Sequence, residues 1–208
     1  MDFGFFISVV ISIFVMVDPF GNIPIFLGLT GGMSGTERRY VITKASVIAT
    51  IILVIFALVG KPFLDVLDIS INSLRIAGGI LLLLIAFDML MGSESRAKKT
   101  DVPQEEEDLD SISVTPMATP LIAGPGAMTL TMVYMNDAAG LDKIWVLAAI
   151  IIAMLGSWII MVNSDLLFSI IHKDGTRVLT KVMGIVLAAI ATNMMINGIS
   201  GSFPGLLG

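Results

Sequence analysis

The sequence predicts an all-α integral membrane protein, with six transmembrane helices in two three-helix units that insert in opposite directions. Three observations lead to this fold class: long apolar segments, two matched pairs of prolines and a repeated helix. Of the 208 residues, 56% are hydrophobic and 14% are charged. Soluble domains are about 45–50% apolar and about 25% charged, so this composition indicates a chain whose surface faces lipid.

Six segments approach the roughly 20 apolar residues that a helix needs to cross a bilayer. The first has no Lys or Arg before its apolar run, so we expect an uncleaved membrane helix rather than a secretory signal. The second is expected to end at Gly60, Lys61 and Pro62. The predicted crossings are residues 3–29, 42–59, 73–91, 112–135, 144–168 and 178–196.

Two of these segments contain a pair of prolines in the spacing Pro-x4-Pro, with glycines close by. Pro19 and Pro24 lie in DPFGNIP, and Pro120 and Pro125 lie in TPLIAGPG. Because proline removes a backbone hydrogen bond and clashes with the preceding turn, each pair predicts a discontinuous helix, the first and the fourth. Unpaired backbone groups are costly in hydrocarbon, so two matched breaks indicate a binding site near the membrane midplane.

The third and sixth segments repeat each other. Residues 74–89 and 179–194 align without gaps and share seven identities in sixteen positions, including Gly79 with Gly184. With three crossings in each unit, the second unit must insert upside down, which makes an inverted-topology repeat. The predicted parts are a first unit, residues 1–92, a flexible acidic cytoplasmic linker, 93–111, and a second unit, 112–208.

The positions of Lys and Arg predict the orientation, because these residues are enriched in cytoplasmic loops. With the N-terminus outside, only Lys61, Arg75 and Lys143 lie outside. Both termini are therefore expected to be extracytoplasmic, in a multi-pass protein of the plasma or inner membrane. The nine basic residues expected inside are Arg38, Arg39, Lys44, Arg96, Lys98, Lys99, Lys173, Arg177 and Lys181.

The two breaks predict the chemistry of the site. A half-helix that begins at a break presents free N–H groups and the positive end of its dipole, which bind carboxylates. A half-helix that ends there presents free carbonyls, which suit an ammonium group. If inversion brings the breaks face to face, one cavity can recognise a small amino acid. The predicted substrate-binding residues are Asp18, Pro19, Phe20, Gly21, Asn22, Thr119, Leu121, Ile122, Ala123, Gly124, Gly126 and Asn193.

Local rules predict where the new half-helices start. Pro24 suits the first position of one of them, with Asn22 as its cap, and Gly124 precedes Pro125 at the start of the other. Arg75, at the outer start of the third helix, is expected to extend towards the interface.

Asp18 is the sharpest candidate among these residues. It lies about 15 residues into the first apolar run, deep in the bilayer, where a carboxylate is costly. It can pair with a substrate ammonium, carry a coupling proton or cap a helix. Asp88, near the cytoplasmic end of the third helix, is a second candidate for the coupling proton or cation, with an interfacial position as its alternative.

Composition excludes several functional classes. The chain has no cysteine, which rules out disulfides, thiolate metal sites and cysteine nucleophiles. It carries no nucleotide-binding P-loop and no basic footprint for nucleic acid. We expect no metal and no cofactor; the expected partners are an amino acid, a coupling proton or cation and the bilayer, and the oligomeric state is left open.

The proline-containing segments, DPFGNIPIFL at Asp18–Leu27 and TPLIAGPGAMT at Thr119–Thr129, resemble the two signature segments of the MarC family. The resemblance extends over the whole chain, including the acidic loop between the halves. That family includes SnatA, a transporter of small neutral amino acids. The resemblance implies a 3+3 inverted repeat, a substrate held where the first and fourth helices unwind, and transport of glycine, alanine and similar amino acids coupled to a proton or ion gradient.

The leading prediction is therefore a secondary transporter of small neutral amino acids that works by alternating access. The alternative is an exporter or channel for another small solute, in line with the drug-resistance association in the family name. A channel should show a continuous polar stripe, and few polar residues lie away from the breaks. An intramembrane enzyme with Asp18 and Asp88 as paired acids is not expected, because their repeat mates are Thr119 and Asn193.

Overall fold

The computed structural model describes residues 3–30, 32–91 and 109–203, and every regular element within these ranges is a helix. Five stretches are long and apolar enough to cross a membrane: residues 3–23, 35–66, 71–91, 142–162 and 177–202. In chain order the elements are α1 (Phe3–Val17), α2 (Pro19–Leu29), α3 (Gly35–Val66), α4 (Ile71–Met91), α5 (Leu109–Ile112), a π-helical segment (Ser113–Ile122), α6 (Pro125–Asp137), α7 (Asp142–Val162) and α8 (Ser164–Ser202).

Several helix boundaries differ from those that hydropathy predicted. α3 continues through Gly60 and Pro62 to Val66, α7 ends at Val162, short of residue 168, and α8 begins at Ser164. For α3, hydropathy marks only the apolar part of the helix, whereas its hydrogen bonding continues into polar flanks. The fifth predicted crossing instead ran past Asn163, the C-terminal cap residue of α7. Most of the predicted linker, residues 93–108, lies outside the described residues, and its last residues, 109–111, are helical in α5.

The start of α3 is an example of such a polar flank. The Glu37 N–H donates to Ser34 Oγ at 3.3 Å, and the Ser34 N–H donates to Glu37 Oε2 at 2.7 Å. This reciprocal pair is a capping box, which fixes the helix start well before the apolar run. The spacing Ser-x-x-Glu in the sequence is sufficient to predict it, and hydropathy alone misses it.

At four positions in the broken segments, the chain leaves the α-helical conformation just before a proline. Asp18 has left-handed backbone (φ 45°, ψ 62°), and Thr115, Thr119 and Gly124 are extended. Each of these four residues precedes a proline, whose ring disfavours the helical conformation in its neighbour. The fourth predicted crossing is therefore irregular from Thr115 to Gly124, not only over residues 120–126, and no single long helix covers it.

The helix ends form two groups at opposite ends of the molecule. At one end, Arg38 of α3 donates to Asp165 of α8 at 2.5 Å, and Lys44 of α3 pairs with Asp110 of α5. The Lys44 ammonium and the Tyr40 hydroxyl hold the pKa of the Asp110 carboxyl below its usual range. At the other end, Arg75 of α4 pairs with Asp137 of α6. The chain between residues 109 and 137 thus starts at one end and finishes at the other.

The buried core lies between the helices. α3 contributes one continuous face to it, with small residues at a spacing of four, so that neighbouring helices approach closely. α3 packs against α6, α7 and the π-helical segment, and α1 packs against α7. The fully buried residues of this α3 face are Val41, Ala45, Ala49, Leu53 and Ala57.

The most extensive helix pair is α4 against α8, which run antiparallel. A Cβ on Gly79 of α4 would lie 2.9 Å from the carbonyl oxygen of Ala191. A Cβ on Gly184 of α8 would lie 3.2 Å from the carbonyl oxygen of Ala86. In the alignment of residues 74–89 with 179–194, Gly79 matches Gly184 and Ala86 matches Ala191, so the two contacts are reciprocal.

Candidate functional site

The first helix break is a single residue, Asp18. Its N–H still donates to Phe14 O at 3.2 Å, and its carboxylate accepts the Gly21 N–H at 3.1 Å. Pro19 then occupies the first position of α2. Aspartate is among the few residues that adopt left-handed backbone at modest cost. Asp18 is therefore the cap of α2. Helix capping is one of the three roles that the sequence predicted for Asp18, beside pairing with a substrate ammonium and carrying a coupling proton.

Asn22 does not cap a helix that starts at Pro24, and that prediction is wrong. Because Asp18 forms the cap one turn earlier, α2 starts at Pro19 and continues through position 24. The buried Asn22 side chain instead donates from Nδ2 to Val17 O at 2.8 Å. It thereby satisfies a carbonyl that the end of α1 leaves without a helical partner.

The second break ends at Gly124, as predicted. Gly124 (φ −73°, ψ 167°) is the cap residue of α6, and Pro125 takes its first position. No side chain caps α6 in the described part of the chain. The starts of α2 and α6 therefore differ: Asp18 brings a carboxylate to the first, and the second keeps its dipole without a side-chain acceptor.

The two breaks are neighbours in space. A Cβ on Gly126 would lie 2.6 Å from Met16 Cε and 2.7 Å from Leu82 Cδ2. The start of α6 therefore packs directly against side chains from the end of α1 and from α4. Of the other predicted site residues, Pro19, Ile122 and Ala123 are buried. The half-buried ones are Phe20, Gly21, Thr119 and Leu121.

A small polar pocket of about 70 Å³ lies between α4, α6 and α8. The sequence predicted that Asn193 would lie in the substrate site at the breaks. Asn193 instead lines this pocket, and no described contact joins it to the residues of the breaks. The apolar walls of the pocket are Leu130, Val133, Ile190 and Met194. The polar residues of the pocket are Arg75, Tyr134, Asp137, Asn193 and Asn197.

Arg75, whose extension towards the interface stays a prediction, has polar partners at this end of the molecule. Its Nη1 donates to Asn72 Oδ1 at 3.0 Å, and its Nη2 pairs with Asp137. Tyr134, in the same pocket, bonds to Ser12 of α1 with 2.7 Å between the two hydroxyl oxygens. Sequence reasoning missed Tyr134 and Asp137; an arginine within an apolar helix was the available sign of a polar partner.

Asp88 lies exposed in the last turn of α4, at the opposite end of that helix from Arg75. At about 1.5 Å per residue, about 20 Å of helix separates the two. This position agrees with the interfacial alternative for Asp88. Its role as a coupling residue stays a prediction.

The cap at Asp18 makes a testable contribution to stability. A Cβ on Gly21 would overlap the Asp18 carboxylate, so Gly21→Ala is expected to break the cap. We expect a loss of about 1–2 kcal/mol, or roughly 2–8 °C in Tm, measured by thermal unfolding of the purified protein. The matched control is Gly28→Ala in the same helix, where a Cβ meets nothing within 4 Å. An equal Tm for the two variants would contradict the cap.

Comparisons with known proteins identify relatives over nearly the whole chain. The family model described as MarC family integral membrane protein matches residues 3–203. A UPF0056 membrane protein of Methanocaldococcus jannaschii is 38% identical over 203 residues, which cover 97% of this chain and 99% of the relative. The UPF0056 membrane protein YvbG of Bacillus subtilis is 35% identical over 212 residues, which cover 99% of each chain. No solved structure matches the chain significantly.

Proposed function

This chain belongs to the MarC family of integral membrane proteins, and on that premise we propose that it is a secondary transporter of small neutral amino acids such as glycine and alanine. The observation that carries the proposal is the meeting of two helix breaks inside apolar segments, with Gly126 against Met16. Broken backbone is tolerated at membrane depth where it lines a cavity. Transporters use such paired breaks as substrate sites.

In the proposed site the start of α6 binds the substrate carboxylate, because no side chain in the described residues caps that start. The ammonium group binds near Asp18 and the carbonyls at the end of α1. Pro19, Ile122, Ala123 and Gly126 are buried around the breaks, which restricts the site to a small side chain. Asp18 and Asp88 are the proposed coupling residues for a proton or cation.

The proposed architecture is the 3+3 inverted repeat. Its support is the reciprocal contact of Gly79 with Ala191 and of Gly184 with Ala86. Gly79 is equivalent to Gly184 in the repeat, and Ala191 is equivalent to Ala86. A twofold axis between α4 and α8 would interchange the two contacts, which is why they are alike. An axis between antiparallel helices lies in the membrane plane, which is the relation between inverted units.

The broken fourth segment is the proposed sixth crossing. Asp110 pairs with Lys44 at one end of the molecule, and Asp137 pairs with Arg75 at the other. A segment that joins the two ends crosses the bilayer even though no single helix does so. With the end that holds Arg38 and Lys44 in the cytoplasm, both termini are extracytoplasmic, as expected in the plasma membrane.

Transport by reconstituted protein tests the proposal. Liposomes with the purified full chain are expected to take up labelled glycine and alanine in a saturable manner and to show counterflow. Gly126→Ala is expected to reduce alanine uptake at least tenfold and glycine uptake less, because a methyl group intrudes between the breaks. The methyl meets only the flexible ends of Met16 and Leu82, so the fold persists.

Gly28→Ala is the control for this experiment, because it adds the same methyl group to open space. Uptake that never saturates would instead favour the alternative, a channel for another small solute. Saturable transport of other solutes and of no amino acid would favour an exporter of a different class. An unchanged alanine uptake in Gly126→Ala would remove the breaks as the substrate site.

A further inference from the structure

The polar pocket between α4, α6 and α8 contains a charged pair that the proposed function does not use. The Arg75 side chain is 17% exposed and the Asp137 side chain is 35% exposed, so Arg75 is largely withdrawn from solvent whereas Asp137 keeps access to it. Arg75 belongs to the first unit and Asp137 to the second. The pair therefore lies where the two units meet, at the end of the molecule that holds the start of α4 and the end of α6.

The rest of the pocket is suited to a small polar molecule. Asn193 and Asn197 supply amide donors and acceptors, and Tyr134 adds a hydroxyl group. The remaining walls are aliphatic or thioether side chains, such as Leu130 and Met194. At about 70 Å³ the space admits only a molecule of a few non-hydrogen atoms.

We propose that Arg75 and Asp137 form an entry site for small zwitterions, in which the carboxylate of the ligand binds Arg75 and its ammonium group binds Asp137. This inference rests on the proposed function and adds a second site to it. The entry site is distinct from the helix breaks, because Arg75 and Asp137 lie at the end of the molecule and Gly126 lies against Met16 in the interior.

The physical reason is that a zwitterion is the ligand that compensates both charges at once. Separating the pair leaves each charge without its partner, which is more costly for Arg75 because its side chain is the less exposed of the two. A zwitterion that inserts between them exchanges one ion pair for two, and the guanidinium can bind the carboxylate through two parallel hydrogen bonds. A ligand with only one charge leaves either Arg75 or Asp137 unpaired, so anions and cations alone should bind poorly.

Equilibrium binding of glycine to the purified full chain tests the entry site. The wild type is expected to show two components of glycine binding. Arg75→Gln and Asp137→Asn should each weaken one component by roughly ten- to a hundredfold, the usual effect of losing a charged hydrogen bond. Gly126→Ala should weaken the other component. Acetate and methylammonium should not displace glycine from the component that depends on Arg75 and Asp137.

Lys61→Gln is the matched control. Like Arg75, Lys61 is a basic residue on the proposed extracytoplasmic side, but it pairs with Asp65 of its own helix. It should leave both components within twofold of the wild type. The double variant Arg75→Asp with Asp137→Arg restores a pair of charges but reverses them relative to Asn193, Asn197 and Tyr134. It should recover the Tm of the ligand-free protein and not the affinity.

Each result decides between an entry site and an Arg75–Asp137 ion pair that only stabilises the fold. Glycine affinities that are unchanged in Arg75→Gln and Asp137→Asn, or fully recovered in the reversed pair, overturn the entry site and leave the proposed function standing. No glycine binding to the wild type overturns both. If Arg75→Gln fails to fold, Arg75→Lys keeps the charge and the pair, and the same component should still weaken because the two parallel hydrogen bonds are lost.

Discussion

Replacing Gly79 by alanine is expected to be among the most destabilising single-methyl additions in this chain. The new Cβ would lie 2.9 Å from the carbonyl oxygen of Ala191, a backbone atom that cannot move independently, and closer still to Met195 Cγ. Overpacking of this kind costs about 1–3 kcal/mol. For a protein of this size that corresponds to a fall in Tm of roughly 2–12 °C, measured by thermal unfolding of the purified protein.

The repeat mate and a control define the cause of that loss. Gly184→Ala should destabilise less, because its Cβ would lie 3.0 Å from Met89 Cβ and 3.2 Å from Ala86 O. Gly156→Ala in α7 should be neutral or slightly stabilising, since its nearest neighbour, Phe14 Cε2, lies 3.6 Å away. Equal Tm values for all three variants would mean that the close approach of α4 to α8 does not limit stability.

Replacing Asp18 by alanine is expected to impair both folding and transport. Alanine cannot accept the Gly21 N–H, and a lost cap costs about 0.5–2 kcal/mol. The left-handed backbone adds about 1–2 kcal/mol for a residue without a side chain that stabilises it locally. Together these terms predict a fall in Tm of roughly 3–15 °C and little functional protein in the membrane.

Asp18→Asn separates the charge from the cap. Asparagine keeps an oxygen that accepts the Gly21 N–H and tolerates the left-handed conformation, so the Tm should stay within a few degrees of the wild type. Uptake of glycine against its gradient should be lost. Exchange of glycine across the membrane at equal concentrations should persist with weaker affinity, because the carbonyls at the end of α1 still bind the ammonium group. Wild-type accumulation in Asp18→Asn would show that Asp18 acts only as a cap.

Properties that depend on one stretch of chain could be predicted from the sequence. Helical class and membrane character follow from composition and from the length of apolar runs, and the family was recognisable from Asp18–Leu27 and Thr119–Thr129. The start of α6 at Pro125 also followed from local rules, because a proline fits the first turn of a helix. These features are decided by residues that are adjacent in the chain.

Where two local rules compete, the sequence did not decide between them. Both Pro19 and Pro24 suit a helix start, and hydrogen bonding at Asp18 selects the first. Asn22 then becomes a donor to Val17 instead of a cap. The same applies to the fourth segment, where three successive residues before prolines, at 115, 119 and 124, share the irregularity that was expected only over 120–126.

By itself, then, the sequence determined that the chain is helical, that it lies in a membrane and that two of its segments are broken by prolines. The tertiary structure alone decided that Arg75 meets Asp137, that Asn193 joins their pocket rather than the breaks, and that Gly79 and Gly184 make reciprocal contacts. The reason is that these partners are far apart in the chain. Their meeting depends on how whole helices pack, which no local pattern of residues specifies.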